Sequence, residues 1–342
     1  MCMDGATVLA SLTRTLIDFG ASRGLDRGRL VRAAGVDPSE LDRRDARIPR
    51  RADTAVWEHL SASLGTHHVG LDFADTRPGP RAYGVVALRD MTADTFGDAL
   101  RRHCRHHRLI KDDVSAVLFE GPEAATVFLS KQGGRLACSP SMAEAALAPY
   151  VIHLRAWTGH DVAPEEVCFE HAAPEDTARY EAMFRCPIRF AQSASSIRFA
   201  REVLELPLLH AQRDLCEFLD ASAGDALARL SRGDLADLVY RALSASLARG
   251  DASIETLARE LGLGVRTLQR RLREESASYQ EVVDTVRHHR ALELLLEPGH
   301  PVAWISEHLG FSDPRAFRRA FARWTGVSPD RYRRLRLVRE VA

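Results

Sequence analysis

SIETLARELGLGVRTLQRRLRE, residues 253–274, and VAWISEHLGFSDPRAFRRAFARW, residues 302–324, are two passes over one pattern. Ile254, Leu257, Leu261 and Gly262 recur 48 positions later as Val302, Ile305, Leu309 and Gly310. Beyond the glycine the offset becomes 49, so Leu268, Gln269, Arg270 and Leu272 correspond to Phe317, Arg318, Arg319 and Phe321. The extra residue falls in the turn. Each copy reads as a short helix, a glycine-containing turn and a second helix, the unit of a helix-turn-helix. Ser253 is placed to cap the first copy, and Ser312 or Asp313 the second helix of the other, with Pro314 in its first turn, where a missing N–H costs nothing. Residues 279–296 between the copies carry helical spacing and stop at Pro298-Gly299, as one connecting helix would.

At 100° per residue, Phe317, Ala320, Phe321 and Trp324 make one apolar stripe, and Arg315, Arg318 and Arg319 share the opposite face. In the first copy Val265, Leu268 and Leu272 face inward, while Arg266, Gln269, Arg270 and Arg273 line the outside. Arginine's fork of donors matches guanine O6 and N7, and glutamine pairs bidentately with adenine, so these residue types suit reading a major groove. A solvated helix face would carry similar residues. Two faces patterned alike after the same turn favour a pair of recognition helices.

The formal net charge of the 342 residues is zero, yet residues 310–342 hold nine arginines against Asp313, Asp330 and Glu340. Such a basic segment is the footprint of a nucleic-acid contact or of a solvated tail, and Arg333 within it reads as a phosphate contact. Lys111 and Lys131 are the only lysines and asparagine is absent, a bias of the coding genome. No run of about 18 uncharged apolar residues exists, and charged residues interrupt the N-terminal stretch, so neither a membrane span nor a signal peptide is expected and the location is read as cytoplasmic. Six scattered cysteines without a C-x-x-C fit reduced thiols rather than disulfides or a zinc site.

Upstream of the repeat the pattern is mixed. Residues 114–119 and 126–129 around Gly121-Pro122 read as a hairpin, and residues 167–170 and 188–190 as further strands. Helical spacing appears at 7–19, 53–64, 94–110, 141–157 and 176–184. Residues 207–249 are helical again, with interruptions expected near Ser222-Ala223-Gly224 and Arg232-Gly233. The fold class expected is an α+β N-terminal domain plus an all-α C-terminal domain with two helix-turn-helix units. The parts are residues 1–205, a helical linker over 206–252, and 253–342 with its motifs at about 253–274 and 302–324.

Residues 253–334 resemble the DNA-binding domain of the AraC/XylS transcription regulators, through GVRTLQRRLREES, the LGFSD turn, the F-x-x-x-F pair and the W-T-G-V-S-P-x-x-Y-R end. Gly264 replaces the serine usual in that family and weakens the first cap. Residues 1–205 resemble the effector-binding domain of one subgroup, the arabinose-binding type, at AAGVDPSELDRRDARIP, TFGDALRRHCRHHRLIKDDV and FRCPIRFAQSASSIRFA. The resemblance implies a ligand-responsive regulator, commonly an activator. Its partners would be double-stranded promoter DNA, an unknown small-molecule effector, a second copy of the chain in a homodimer, and RNA polymerase.

Other signals are weighed beside it. Gly20-Ala21-Ser22-Arg23-Gly24 satisfies G-x-S-x-G, but helical spacing precedes the serine where a hydrolase needs a strand. No catalytic residue, cofactor or metal is called. His103 and His107 lie at i and i+4 on one helix beside Phe96 and Leu100. Three readings stay open for them: a structural or surface role, the lining of an effector pocket with Phe96 and Leu100, or two ligands of a metal whose third cannot be named. The rival to a regulator is an enzyme or ligand-binding protein whose basic tail binds nucleic acid non-specifically.

Overall fold

A computed structural model describes residues 6–43, 45–66, 68–131, 138–230, 235–249, 253–274, 278–297, 299–325 and 327–337. The N-terminal part opens with a short strand, β1 (Thr7–Leu9), ahead of α1 (Ala10–Ser22). The helix expected over 7–19 therefore begins three residues late, because residues 7–9 pair antiparallel with β2 (Arg47–Pro49). Between these strands lie α2 (Arg27–Ala34), capped by Asp26, and α3 (Pro38–Asp42), capped by Asp37. The chain continues through α4 (Arg50–Leu64), α5 (Val69–Asp75), α6 (Pro80–Met91) and α7 (Phe96–His106), where the Thr95 side chain accepts the Asp98 N–H as cap. A 3-10 turn at His107–Leu109 ends the helix expected over 94–110.

The hairpin forms as β3 (Val114–Glu120) and β4 (Ala124–Lys131). The long helix α8 (Pro140–Thr158) starts at the Ser139 cap with Pro140 in its first turn. Next come β5 (Glu166–Cys168), α9 (Ala178–Phe184), β6 (Ile188–Arg189) and β7 (Ser195–Ala200). The five strands make one sheet in the order β3-β4-β7-β5-β6, with only β5 and β6 parallel.

Alternation along the hairpin gives this sheet two buried faces. Val114, Ala116, Val127, Leu129, Ile197 and Phe199 point into a core closed by α7 and α8. Val117, Phe119 and Phe128 point the other way, into the core of the C-terminal part. A period of two sends successive side chains to opposite sides, and here both sides are apolar because both are covered. A further, mainly helical core gathers α1, α4, α5 and α6 around Leu16, Trp57 and Phe73, with Val8 of β1 and Ile48 of β2 packed into it.

The linker forms α10 (Arg213–Leu230) and α11 (Leu235–Arg249). No interruption occurs at Ser222-Ala223-Gly224: α10 runs straight through, with Ala223 fully buried. One helical glycine costs only about 1 kcal/mol against alanine, which packing outweighs. The break expected near Arg232-Gly233 lies outside the described residues. The C-terminal part is all helical: α12 (Ile254–Glu260), α13 (Val265–Glu274), α14 (Tyr279–Leu294), α15 (Val302–His308), α16 (Pro314–Thr325) and α17 (Pro329–Leu337). Ser278 and Glu281 form a reciprocal capping box at the start of α14. That helix docks on the hairpin: His289 stacks on Phe128 at 4.7 Å and is hydrogen-bonded to Tyr240 of α11 at 2.6 Å, while Arg290 lies over the Phe119 ring at 5.7 Å. Just past the C-terminal end of α14 the Glu297 carboxylate rests on Gly121, where an added Cβ would come within 2.1 Å of it, so a larger residue would have to push the carboxylate aside.

Candidate functional site

Each helix-turn-helix is built by its own local chemistry. Ser253 Oγ accepts the Thr256 N–H at 3.1 Å to start α12, and Asp313, rather than Ser312, caps α16 by accepting the Arg315 and Ala316 N–H groups at 2.7 and 2.9 Å. Gly262 and Gly310 follow α12 and α15 with φ of 65° and 70°, the left-handed conformation that turns the chain toward the second helix. Leu268, Leu272, Phe317 and Phe321 are fully buried, and Phe321 packs its ring edge-on against Tyr332 at 5.4 Å.

The opposite faces are open. Arg266, Gln269, Arg270, Arg273, Arg315, Arg318 and Arg319 are all exposed. Arg270 pairs with Glu274 at 2.5 Å and Arg318 with Asp330 at 3.3 Å, exposed contacts of the kind that contribute little and exchange readily for a phosphate or base. Arg333, read as a phosphate contact, also has partners within the chain. Its Nε donates to the Leu295 carbonyl at 3.1 Å and its Nη2 to the His300 carbonyl at 2.6 Å, so its fork clamps α17 onto the end of α14.

Between the two N-terminal cores lies a cavity of about 260 Å³. Phe96, Leu100, His103 and His107 all line it, from one side of α7 and the turn beyond. Leu16, Trp57, Phe73 and Val86 supply apolar wall from α1, α4, α5 and α6, and Tyr150, His153 and Trp157 close it from α8. The two histidines do not diverge toward a metal. His107 Nδ1 meets His103 Nε2 at 3.1 Å, and His103 Nδ1 meets the Asp90 carboxylate at 2.8 Å. Among the described residues no group of three metal-ligating side chains is assembled.

Asp90 in turn accepts from Arg89, fully buried, at 3.0 Å from Nε and 2.5 Å from Nη2. Arg89 Nη1 reaches on to Asp220 of α10 at 3.4 Å, which also pairs with Arg102 at 2.8 Å. A continuous polar chain thus runs from the cavity wall to the linker. On the same side of α7, the Arg105 carbonyl accepts from Arg241 of α11. Burial holds His107 well below the usual imidazole range, helped by the neighbouring His103, and burial takes His153 down to about 4. Both rings are therefore neutral at pH 7, and His153 stacks on Trp157 at 4.3 Å.

Sequence reasoning missed the charged floor of the cavity. Arg50 and Lys111 meet Asp53 and Asp113 there: Lys111 to Asp53 at 3.5 Å, Arg50 to Asp113 at 3.3 Å, and Arg50 directly onto Asp53. Burial raises the Asp53 carboxyl, but Lys111 and Arg50 outweigh it and hold the group below its ordinary value. Lys111 as one of two lysines in an arginine-rich chain was the available signal. Tyr150, whose buried hydroxyl finds no hydrogen-bond partner among the described residues, gave none. The G-x-S-x-G stretch sits at the end of α1, where Ser22 Oγ merely donates to the Phe19 carbonyl at 2.7 Å.

Comparison with known proteins gives two family matches. Residues 24–208 match the model described as the arabinose-binding domain of AraC transcription regulator, N-terminal, and residues 257–335 match a helix-turn-helix domain. Among curated relatives, the ornithine utilization regulator of Pseudomonas aeruginosa is 28% identical over 330 residues, spanning 95% of this chain and 96% of the relative. The HTH-type transcriptional regulator VqsM of the same species is 28% identical over 262 residues, spanning 73% and 79%. Among solved structures, the transcriptional regulator CdpR from Pseudomonas aeruginosa aligns over 94% of this chain and 97% of its own, at 25% identity and a TM-score of 0.46.

Proposed function

This chain belongs to the AraC family of helix-turn-helix transcription regulators, and we propose that it acts in the cytoplasm as a ligand-responsive activator that binds promoter DNA as a homodimer. In this reading residues 1–205 sense the effector, 206–252 transmit, and 253–342 read DNA. The observation that carries it is the double duty of α7. One side presents His103 and His107 to the cavity, and the other holds both linker helices through Asp220 and Arg241. An effector that moves α7 or its Asp90 partner would change how α11 holds α14, and with it the pose of the two recognition helices.

The linker also offers the dimer contact. Of its apolar residues, Leu208 and Leu243 are buried within the chain, whereas Leu215 and Phe218 on α10 are 41% and 71% exposed, one helical turn apart. A second copy packing there would cover them. Arg266, Gln269, Arg270 and Arg273 then read one block of the DNA site and Arg315, Arg318 and Arg319 another, in successive major grooves about 34 Å apart. RNA polymerase would be engaged by the bound dimer.

The test is a selected-site sequence profile. Arg270→Ala should relax preference in one block and Arg319→Ala in another about 10 base pairs away, each by roughly 1–3 kcal/mol per lost bidentate contact. Identical profiles for the two variants, or no change in either, would refute the paired-reader assignment.

A further inference from the structure

The cavity between the two N-terminal cores carries more information than that a ligand enters it. Every buried fixed charge in its wall already has a partner of opposite sign within the wall or just behind it. Arg50 and Lys111 are matched by Asp53 and Asp113. Asp90 is matched by the fully buried Arg89. Glu58 lines the cavity too, but it is exposed, at the solvent side. A carboxylate entering this space would find no cation to receive it without breaking an existing pair, and an ammonium group would find no free acid in the buried part, only Glu58 at an exposed position. Burying an unmatched charge is far costlier than burying a neutral polar group that is hydrogen-bonded.

What the wall does hold in reserve is neutral. The Tyr150 hydroxyl is buried and unpartnered among the described residues, and its ring lies edge-on to His103 at 5.4 Å. The histidine relay passes beside its ring at His103. In the tautomer in which His103 Nδ1–H donates to Asp90 and His103 Nε2 accepts from His107 Nδ1–H, His107 Nε2 keeps a lone pair; a proton added to His103 reverses the second bond and turns His107 Nε2–H into a donor. Tyr150 and His107 are thus neutral polar residues of a lining whose apolar part includes Leu16, Trp57, Phe73, Val86 and Leu100.

We infer that the ligand of this cavity is uncharged: an apolar body carrying one head group that both accepts and donates a hydrogen bond, of the amide or hydroxyl kind. The head accepts from Tyr150 and exchanges its second hydrogen bond with the His107 ring, and the body lies against the aromatic and aliphatic wall. This rests on the reading of the cavity as the effector site, and it narrows that reading by excluding free carboxylic acids and amines as ligands.

The full-length chain is titrated with two matched series: octanamide, octan-1-ol, octanoate and octylammonium, and benzamide, benzyl alcohol, benzoate and benzylammonium. Binding is read by the fluorescence of Trp57 and Trp157 in the wall and by the rise in Tm that a ligand of the folded state produces. In at least one series the neutral heads should bind at least about tenfold more tightly than the charged heads on the same body. Tyr150→Phe, which removes only the unpartnered hydroxyl, should weaken the neutral ligands by about fivefold and leave the charged ones unchanged. A carboxylate or ammonium that binds as tightly as its neutral counterpart overturns the inference and leaves the effector reading standing. Neutral binding untouched by Tyr150→Phe overturns the placement of the head group. If none of the eight compounds changes fluorescence or Tm, the inference falls together with the effector reading on which it rests.

Discussion

Replacing Asp90 by asparagine keeps the shape of the side chain and removes its charge, which tests whether the polar chain behind the cavity is an energetic unit. Arg89 has no exposed side-chain surface and Asp90 2%, and they share a two-pronged contact of 3.0 and 2.5 Å. Among the described residues the only other acid on Arg89 is Asp220, 3.4 Å away and 19% exposed. Removing one partner of a buried ion pair costs about 3–5 kcal/mol. Asp220 remains to compensate in part, so a loss near the lower end, about 3 kcal/mol, is expected for Asp90→Asn. For a unit of roughly 200 residues that corresponds to a fall in Tm of about 6–12 °C. Asp220→Asn, at a site that water already reaches, should cost nearer 1 kcal/mol and instead weaken the response of DNA binding to effector. Adding Arg89→Met to Asp90→Asn should recover most of the loss, because no stranded cation is left and the asparagine oxygen can still accept from His103. Urea denaturation of the full-length single and double variants supplies the cycle. If Asp90→Asn costs under about 1 kcal/mol, or the double variant is no more stable than the single, the chain of contacts is not a coupled unit.

Three further outcomes follow from particular contacts. Arg333→Ala should lower the Tm of the full-length protein by removing two charge-assisted bonds to carbonyls, roughly 1.5–3 kcal/mol, while the salt dependence of DNA affinity keeps its slope. Gly121→Ala places a methyl group against the Glu297 carboxylate and should loosen α14 from the hairpin by about 1–3 kcal/mol, seen as faster amide exchange along α14. Burial pushes the Glu144 carboxyl up to about 7 from 4.5, although Tyr180 and the Gly70 and Leu71 N–H groups bond to it. The folded protein thus keeps a proton that the unfolded chain releases. The resulting stability is complete below pH 4.5 and is lost as pH rises to about 7, by on the order of 3 kcal/mol at most, and Glu144→Gln should flatten that slope in urea titrations across the range.

The helix-turn-helix pair was legible because its determinants are local: caps at Ser253 and Asp313, turns at Gly262 and Gly310, and stripes set by a period near 3.6 residues. The hairpin was legible for the same reason, through Gly121-Pro122 and its apolar flanks. Residues 7–9 were misread because three extended residues have too short a pattern to outweigh the helix behind them, and their partner lies 40 residues away at β2. Helices α5 and α6 carry no clean stripe, since their surroundings are apolar on more than one side. For the cavity, the α7 residues were found from spacing on one helix. Arg50, Asp53, Lys111 and Tyr150 come from three other segments, and only the tertiary fold brings them together. Arg333 shows the converse: its composition suggested DNA, and its neighbours in space gave it a structural bond set.

The sheet with two covered faces also limits how this chain can be recombined with its relatives. A graft that exchanged everything after residue 252 would keep Phe119 and Phe128 in the host and discard the His289 and Arg290 side chains that cover them. The host hairpin would then present two aromatic rings to water, and the guest would arrive with a helix shaped for a different surface. Exchange of DNA specificity between such proteins is expected to succeed when the outward faces of α13 and α16 are transplanted and α14 is left in place. The unit of inheritance for binding specificity would then be a handful of exposed side chains, and the unit of folding the entire chain.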